Sequence, residues 1–78
     1  MTNTEIDAIG LLCPLPVLKV AKRLKTMNLG ETLCLKADDP AAVVDVPHFC
    51  NEAGHALLSV EYGDGFQIYR IEKGQRSK

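Results

Sequence analysis

No run in this chain approaches the 18 or more apolar residues of a membrane span, and the polar start Met1–Asp7 lacks the basic and apolar regions of a signal peptide. A cytoplasmic location is expected. There is no CxxC pair and no zinc-knuckle spacing, since Cys13, Cys34 and Cys50 lie far apart along the sequence. Dinucleotide-binding glycine fingerprints, a phosphate-binding P-loop, a metalloprotease HExxH and a serine nucleophile elbow are also missing. Nor is there an excess of charge of either sign: the net charge is -1, whereas a polyanion-binding protein is normally basic, so no direct stable nucleic-acid binding is expected. At 78 residues the chain has too little length for a multi-step enzyme with its own substrate domain. Tryptophan is absent, yet 46% apolar against 24% charged residues suits a folded domain better than disorder.

What is present is segregated. Residues 1–27 hold four bases against two acids, residues 28–64 one base against seven acids, and residues 65–78 four bases against one acid. Such blocks favour a charged protein partner. A single domain over residues 1–78 is expected, with 74–78 a frayed tail.

The periodicity predicts a strand over about Glu5–Ile9 and a turn at Gly10. An amphipathic helix follows, with Val17, Val20, Ala21, Leu24 and Met27 on one face and its bases outward. With Cys13 as N-cap, Pro14 and Pro16 fall at the first and third helical positions, where a missing N–H costs no helical bond. Asn28–Gly30 stops the helix. A second strand spans Thr32–Ala37, with Leu33, Leu35 and Ala37 facing the core. Asp39 caps and Pro40 starts an element over 40–53, kinked by Pro47 or divided into a turn and a short helix, with Val43, Val46, Cys50 and Ala53 near one face. Two last strands, Ala56–Tyr62 and Phe66–Glu72, are joined through Gly63-Asp64-Gly65 as a hairpin. The order βαβαββ predicts an α/β (α+β) two-layer sandwich, a mixed four-stranded sheet with two helices on one face and a right-handed first crossover.

Cys13 is the sharpest chemical signal. Its sulfur is expected at the positive end of the first helix, where the N–H of Leu15 points toward a thiolate; the alternative is a small hydrophobe before a helix. Gly10 keeps the turn slim and the prolines stiffen its far side. Cys34 and Cys50 read as structural. His48 sits by a turn, and His55 is placed to act as a cation at the end of the second helix. These cysteines and histidines diverge too far to share a metal. Asp7, Asp38 and Asp39 fall near the nucleophile's edge of the sheet, Asp7 as an acceptor for backbone groups of the turn. A carboxylate beside Cys13 would raise the thiol pKa, so none is assigned as a base. With no histidine placed to activate the sulfur and no oxyanion donors, carriage of a covalent group is more economical than hydrolysis. The missing CxxC argues against a monothiol oxidoreductase or a peroxide-reacting protein.

From Asp7 to Lys73 the chain closely resembles the TusA/SirA-like sulfur-carrier family. The features are Asp7, Gly10, the CPxP motif Cys13-Pro14-Leu15-Pro16, Gly30-Glu31, Asp38-Asp39-Pro40, Pro47, Phe49-Cys50 and Gly54-His55. The resemblance implies a sandwich like the C-terminal domain of a translation initiation factor. It further implies a persulfide on Cys13, with no bound cofactor. The donor would be a cysteine desulfurase, which alone holds pyridoxal phosphate, or a rhodanese-like protein; a downstream sulfur acceptor completes the relay. Lys19, Lys22 and Arg23 offer a surface for an acidic partner, or are simply a solvated face. A monomer is expected. The destination read first is 2-thiouridine in tRNA, the alternatives being molybdenum cofactor synthesis, sulfur oxidation, or a non-catalytic regulatory binding module.

Overall fold

Strand β1 covers Asn3–Ala8 and β2 covers Thr32–Ala37; they pair in parallel from Asn3 with Thr32 to Ala8 with Ala37. The computed structural model describes residues 3–74. β1 starts two residues earlier than its apolar pattern predicts, because the β2 ladder also pairs the polar Asn3 and Thr4. β2 has the predicted bounds, and Leu33, Leu35 and Ala37 are buried in alternation.

Helix α1 spans Leu15–Leu24 and helix α2 spans Ala42–Ala53. Pro16, Val20 and Leu24 are the buried positions of α1. The helical pattern continues to Met27, which is buried, but the backbone tightens to i→i+3 bonds there: the amides of Thr26 and Met27 donate to the carbonyls of Arg23 and Leu24. The Lys73 ammonium donates to the Leu24 carbonyl at 2.6 Å, placing a cation at the negative end of α1.

Pro47 does not divide the second element into a turn and a short helix: α2 is one helix with the proline inside. A single i→i−4 bond is lost at that position, while Ala42, Val46 and Cys50 remain buried as one stripe. Val43, predicted on that stripe, is exposed and Ala42 takes its place. Asp39 is not the N-cap of α2: it serves the turn before the helix, its Oδ1 accepting from the Ala41 amide at 3.1 Å, while Ala41 is the N-cap and the helix begins after it rather than at Pro40. Gly54 ends α2 with φ 84°, and the amides of Gly54 and His55 both donate to the Cys50 carbonyl.

Strands β3, Ala56–Tyr62, and β4, Gln67–Glu72, form the antiparallel hairpin. The sheet order is β1-β2-β4-β3, with β4 antiparallel to both neighbours and an irregularity at Leu57/Ser59 in β3. Both helices lie on one face: α1 contacts β1 and β2, α2 contacts β3 and β4, and the helices touch each other. Tyr69 and Ile71 of β4 are fully buried beneath them, and the Tyr69 hydroxyl donates to Gln67 Oε1, two residues earlier on the same strand, at 3.0 Å. That bond satisfies the one polar atom the ring carries inward.

His55 is not a helix-end cation. Its Nδ1 accepts from the Gly74 amide at 2.9 Å, its ring lies 5.8 Å from that of Phe49, and burial with the Lys73 charge lowers its pKa. Gly74, expected in the tail, is therefore tied to the domain, and a Cβ there would collide with the Gly54 carbonyl. Residues 75–78 of the expected tail lie outside the described residues.

Burial pushes the Cys50 thiol from 9.0 up to about 11. The unfolded chain releases this proton near the ordinary value and the folded chain holds it longer, so stability is complete below pH 9 and falls as pH rises from about 9 to about 11. After discounting for solvent screening, a loss of about 1–2 kcal/mol is expected across that window. Urea unfolding at stepped pH measures it, and Cys50→Ala should flatten the decline; an equally steep decline in that variant would rule Cys50 out as its source.

Candidate functional site

The turn between β1 and α1 carries Cys13, and three aspartates hold its backbone. Asp7 Oδ1 accepts from the Ile9 amide at 3.0 Å, Asp38 Oδ1 from the Gly10 amide at 2.9 Å, and Asp39 Oδ2 from the Cys13 amide at 2.6 Å. Two of these come from the loop after β2, so the parallel β1–β2 pairing brings the clamp to the turn. Gly10 has φ +87°, a left-handed conformation that glycine adopts without steric penalty. Asp7 thus accepts a backbone bond of the turn, as the sequence predicts, and Asp38 and Asp39 are acceptors for backbone amides of the same turn.

The helix start is shifted by one position from the predicted one. Pro14, not Cys13, is the N-cap of α1, and Leu15 and Pro16 are the first and second helical residues. The first α-helical bond runs from the Leu18 amide to the Pro14 carbonyl at 3.1 Å, so neither proline removes a helical bond. Pro14 is exposed, Pro16 is buried, and the Cys13–Pro14 peptide bond is cis. The Leu15 amide does not face the sulfur: it donates to the Leu12 carbonyl at 2.8 Å. The expected thiolate support from that amide is therefore absent, because the turn before the helix consumes it.

Asp45 faces the sulfur instead. The exposed Cys13 thiol donates to Asp45 Oδ2 at 2.9 Å, across 32 residues of sequence. This hydrogen bond, followed by desolvation and by the negative charges of Asp45 and Asp39, raises the Cys13 pKa above its ordinary value of 9.0. The rule that a nearby carboxylate raises the thiol pKa holds, but the residue responsible escaped the sequence reading. Asp45 sits in the first turn of α2, where an acid is favoured by the helix dipole whatever else it does, so its position alone gave no signal.

The remaining candidates are spread over other surfaces. Lys19, Lys22 and Arg23 line a groove of about 400 Å³ between α1 and β1, together with Glu5, Ile6, Asp7 and Thr26. None of these bases is among the charges acting on Cys13. Leu12 and Leu15, which flank the cysteine in the chain, are exposed. Cys34 is half-buried on the sheet face opposite the core residues of β2, in a hollow with Lys36 and Ile68, while Cys50 is 2% exposed in the core. His48 is exposed on α2. Among the described residues no three His, Cys, Asp or Glu side chains are grouped to hold a metal, and no helix is long and apolar enough to cross a membrane.

The family model described as Sulfurtransferase TusA matches residues 4–73. Among solved structures, a SirA-like protein from Desulfitobacterium hafniense superposes with a TM-score of 0.71 at 22% identity, over 95% of this chain and 100% of that one. At this identity the likeness establishes the fold.

Proposed function

The chain belongs to the TusA sulfurtransferase family, and on that footing we propose that it is a sulfur carrier whose Cys13 accepts sulfane sulfur as a persulfide and passes it to another protein. The observation that carries this reading is an exposed thiol at the cysteine of the CPxP motif, on a turn whose backbone is clamped by Asp7, Asp38 and Asp39. Exposure admits a partner's sulfur, and the clamp removes backbone freedom that would otherwise dilute productive encounters.

In the loading step the Cys13 thiolate attacks the outer sulfur of a donor persulfide. A new S–S bond forms at Cys13, the donor's S–S bond breaks, and the donor departs as a thiolate; the proton from the Cys13 thiol passes to solvent or to that leaving group. An acceptor thiolate then attacks the outer sulfur and releases Cys13. No external oxidant is needed, since the sulfane sulfur moves at its own oxidation level. The donor in this reading is a pyridoxal-phosphate-dependent cysteine desulfurase or a rhodanese-like protein.

Incubation with a cysteine desulfurase and cysteine, followed by intact and peptide mass measurement, tests the reading. A gain of one sulfur atom on the Cys13 peptide, removed by reductant, is expected, and Cys34→Ser should load equally. No adduct on a folded protein with a competent donor would sink the proposal. Transfer toward 2-thiouridine in tRNA rests on family membership; restoration of that nucleoside in a strain lacking its own carrier tests it separately, and failure with normal loading moves the destination to molybdenum cofactor synthesis or sulfur oxidation.

A further inference from the structure

Two carboxylates face Cys13. From α2 Asp45 accepts its thiol proton at 2.9 Å, and from the loop after β2 Asp39 accepts its amide and adds a second negative charge. Asp38, in the same loop, is turned to the Gly10 amide of the cysteine's own turn. The bases Lys19, Lys22 and Arg23 of α1 line the groove beside β1 instead. A nucleophile placed this way does not attack an anionic sulfur donor readily, because the donor, the developing thiolate and the two carboxylates all repel.

We propose that Asp45 is a positioning residue for Cys13, holding the sulfur of the unpartnered carrier as a thiol and restricting its sulfur exchange to donors that bring a positive charge to the Cys13–Asp45 pair. The inference rests on the carrier reading for its biological meaning. A cationic group of the donor that engages the Asp45 carboxylate would neutralise the charge opposing the thiolate and remove the acceptor that retains the proton. In the free carrier the same hydrogen bond suppresses indiscriminate alkylation and disulfide formation, since the thiolate is the reactive form. Persulfide formation also breaks this contact: the sulfur bonded to Cβ then has no proton to donate to Asp45.

Small disulfides of different charge test this without any sulfur donor protein. In each reaction the Cys13 thiolate bonds to one sulfur, the disulfide's S–S bond breaks, and the other half leaves as a thiolate that takes a proton from solvent. Cys13 is oxidised to the mixed disulfide and the departing half is reduced. The probes are cystamine, which is dicationic, hydroxyethyl disulfide, which is neutral, and dithiodiglycolate, which is dianionic. Rates are read at the Cys13 peptide by mass, together with the pH profile of its alkylation by iodoacetamide.

The wild-type carrier should favour cystamine over dithiodiglycolate by about tenfold or more at low salt, with the ratio falling as salt is added. Asp45→Asn should lower the pH midpoint of alkylation and cut the cationic preference severalfold, leaving the share due to Asp39. Asp45→Ala serves as the second variant, and circular dichroism confirms that each is folded. An unchanged midpoint in both folded variants, or an unchanged charge preference, overturns the proposal. Because the probes are not sulfane-sulfur donors, these results stand apart from the desulfurase experiment: a protein that never loads sulfane sulfur fails the carrier reading while still reporting on Asp45.

Discussion

Cys13→Ser is expected to accept no sulfane sulfur while folding as the wild type does. Serine keeps nearly the same shape, its hydroxyl can donate to Asp45 Oδ2 as the thiol does at 2.9 Å, and the backbone bond from residue 13 to Asp39 is unaffected. A stability change within about 0.5 kcal/mol is expected at this exposed site. The chemistry, by contrast, disappears completely, since an alcohol is far too weakly acidic to supply the nucleophile and has no sulfur to carry the load. Mass measurement after desulfurase treatment, beside urea unfolding of the same preparation, separates the two effects. Full loading of the serine variant would place the site elsewhere, with the half-buried Cys34 the first residue to examine.

The largest effect on the fold near the site is expected from Asp39→Ala. Asp39 is 8% exposed, and its two oxygens accept from the Cys13 amide at 2.6 Å and the Ala41 amide at 3.1 Å. It joins the nucleophile's turn to the start of α2 through one side chain. Hydrogen bonds to a charged acceptor each contribute about 1.5–3 kcal/mol, so removing both should cost about 2–4 kcal/mol after local relaxation. That is a large fraction of the stability of a domain this small. Asp39→Asn retains an acceptor and should lose less. Denaturant midpoints give the measurement, and the Cys13 alkylation midpoint should fall in both variants because a negative charge near the sulfur is gone. A loss below about 0.5 kcal/mol in the alanine variant would show that water replaces the carboxylate adequately.

Local pattern in the sequence determined much of this protein. The alternation of Leu33, Leu35 and Ala37 fixed β2 to the residue, and the glycines around Asp64 fixed the hairpin, because period and turn chemistry act over a few neighbours. The CPxP cysteine on an exposed turn before a helix was legible for the same reason: a proline just inside a helix start and a glycine behind it are local instructions. The helix limits were less legible. Pro47 argued for a break, but the buried stripe of Ala42, Val46 and Cys50 outweighs one missing backbone bond, and that burial exists only once the sheet is present.

Only the tertiary structure decided that β4 lies between β2 and β3. A hairpin pattern establishes that two strands are neighbours and leaves open which of them meets the rest of the sheet; here Gln67, Tyr69 and Ile71 of β4 are buried beneath the helices, while β3 lies at the edge with its ladder interrupted at Leu57/Ser59. The same holds for the electrostatics of the site. The sequence placed Cys13 at a helix start and so predicted a supported thiolate, but the Leu15 amide is used by the turn and Asp45 reaches the sulfur across 32 residues. Local spacing specifies backbone conformation because its forces act within a turn or two. A thiol's protonation answers to whatever charge the folded chain brings within a few ångströms, and that proximity is set by how α2 seats on the sheet beside the β1–α1 turn.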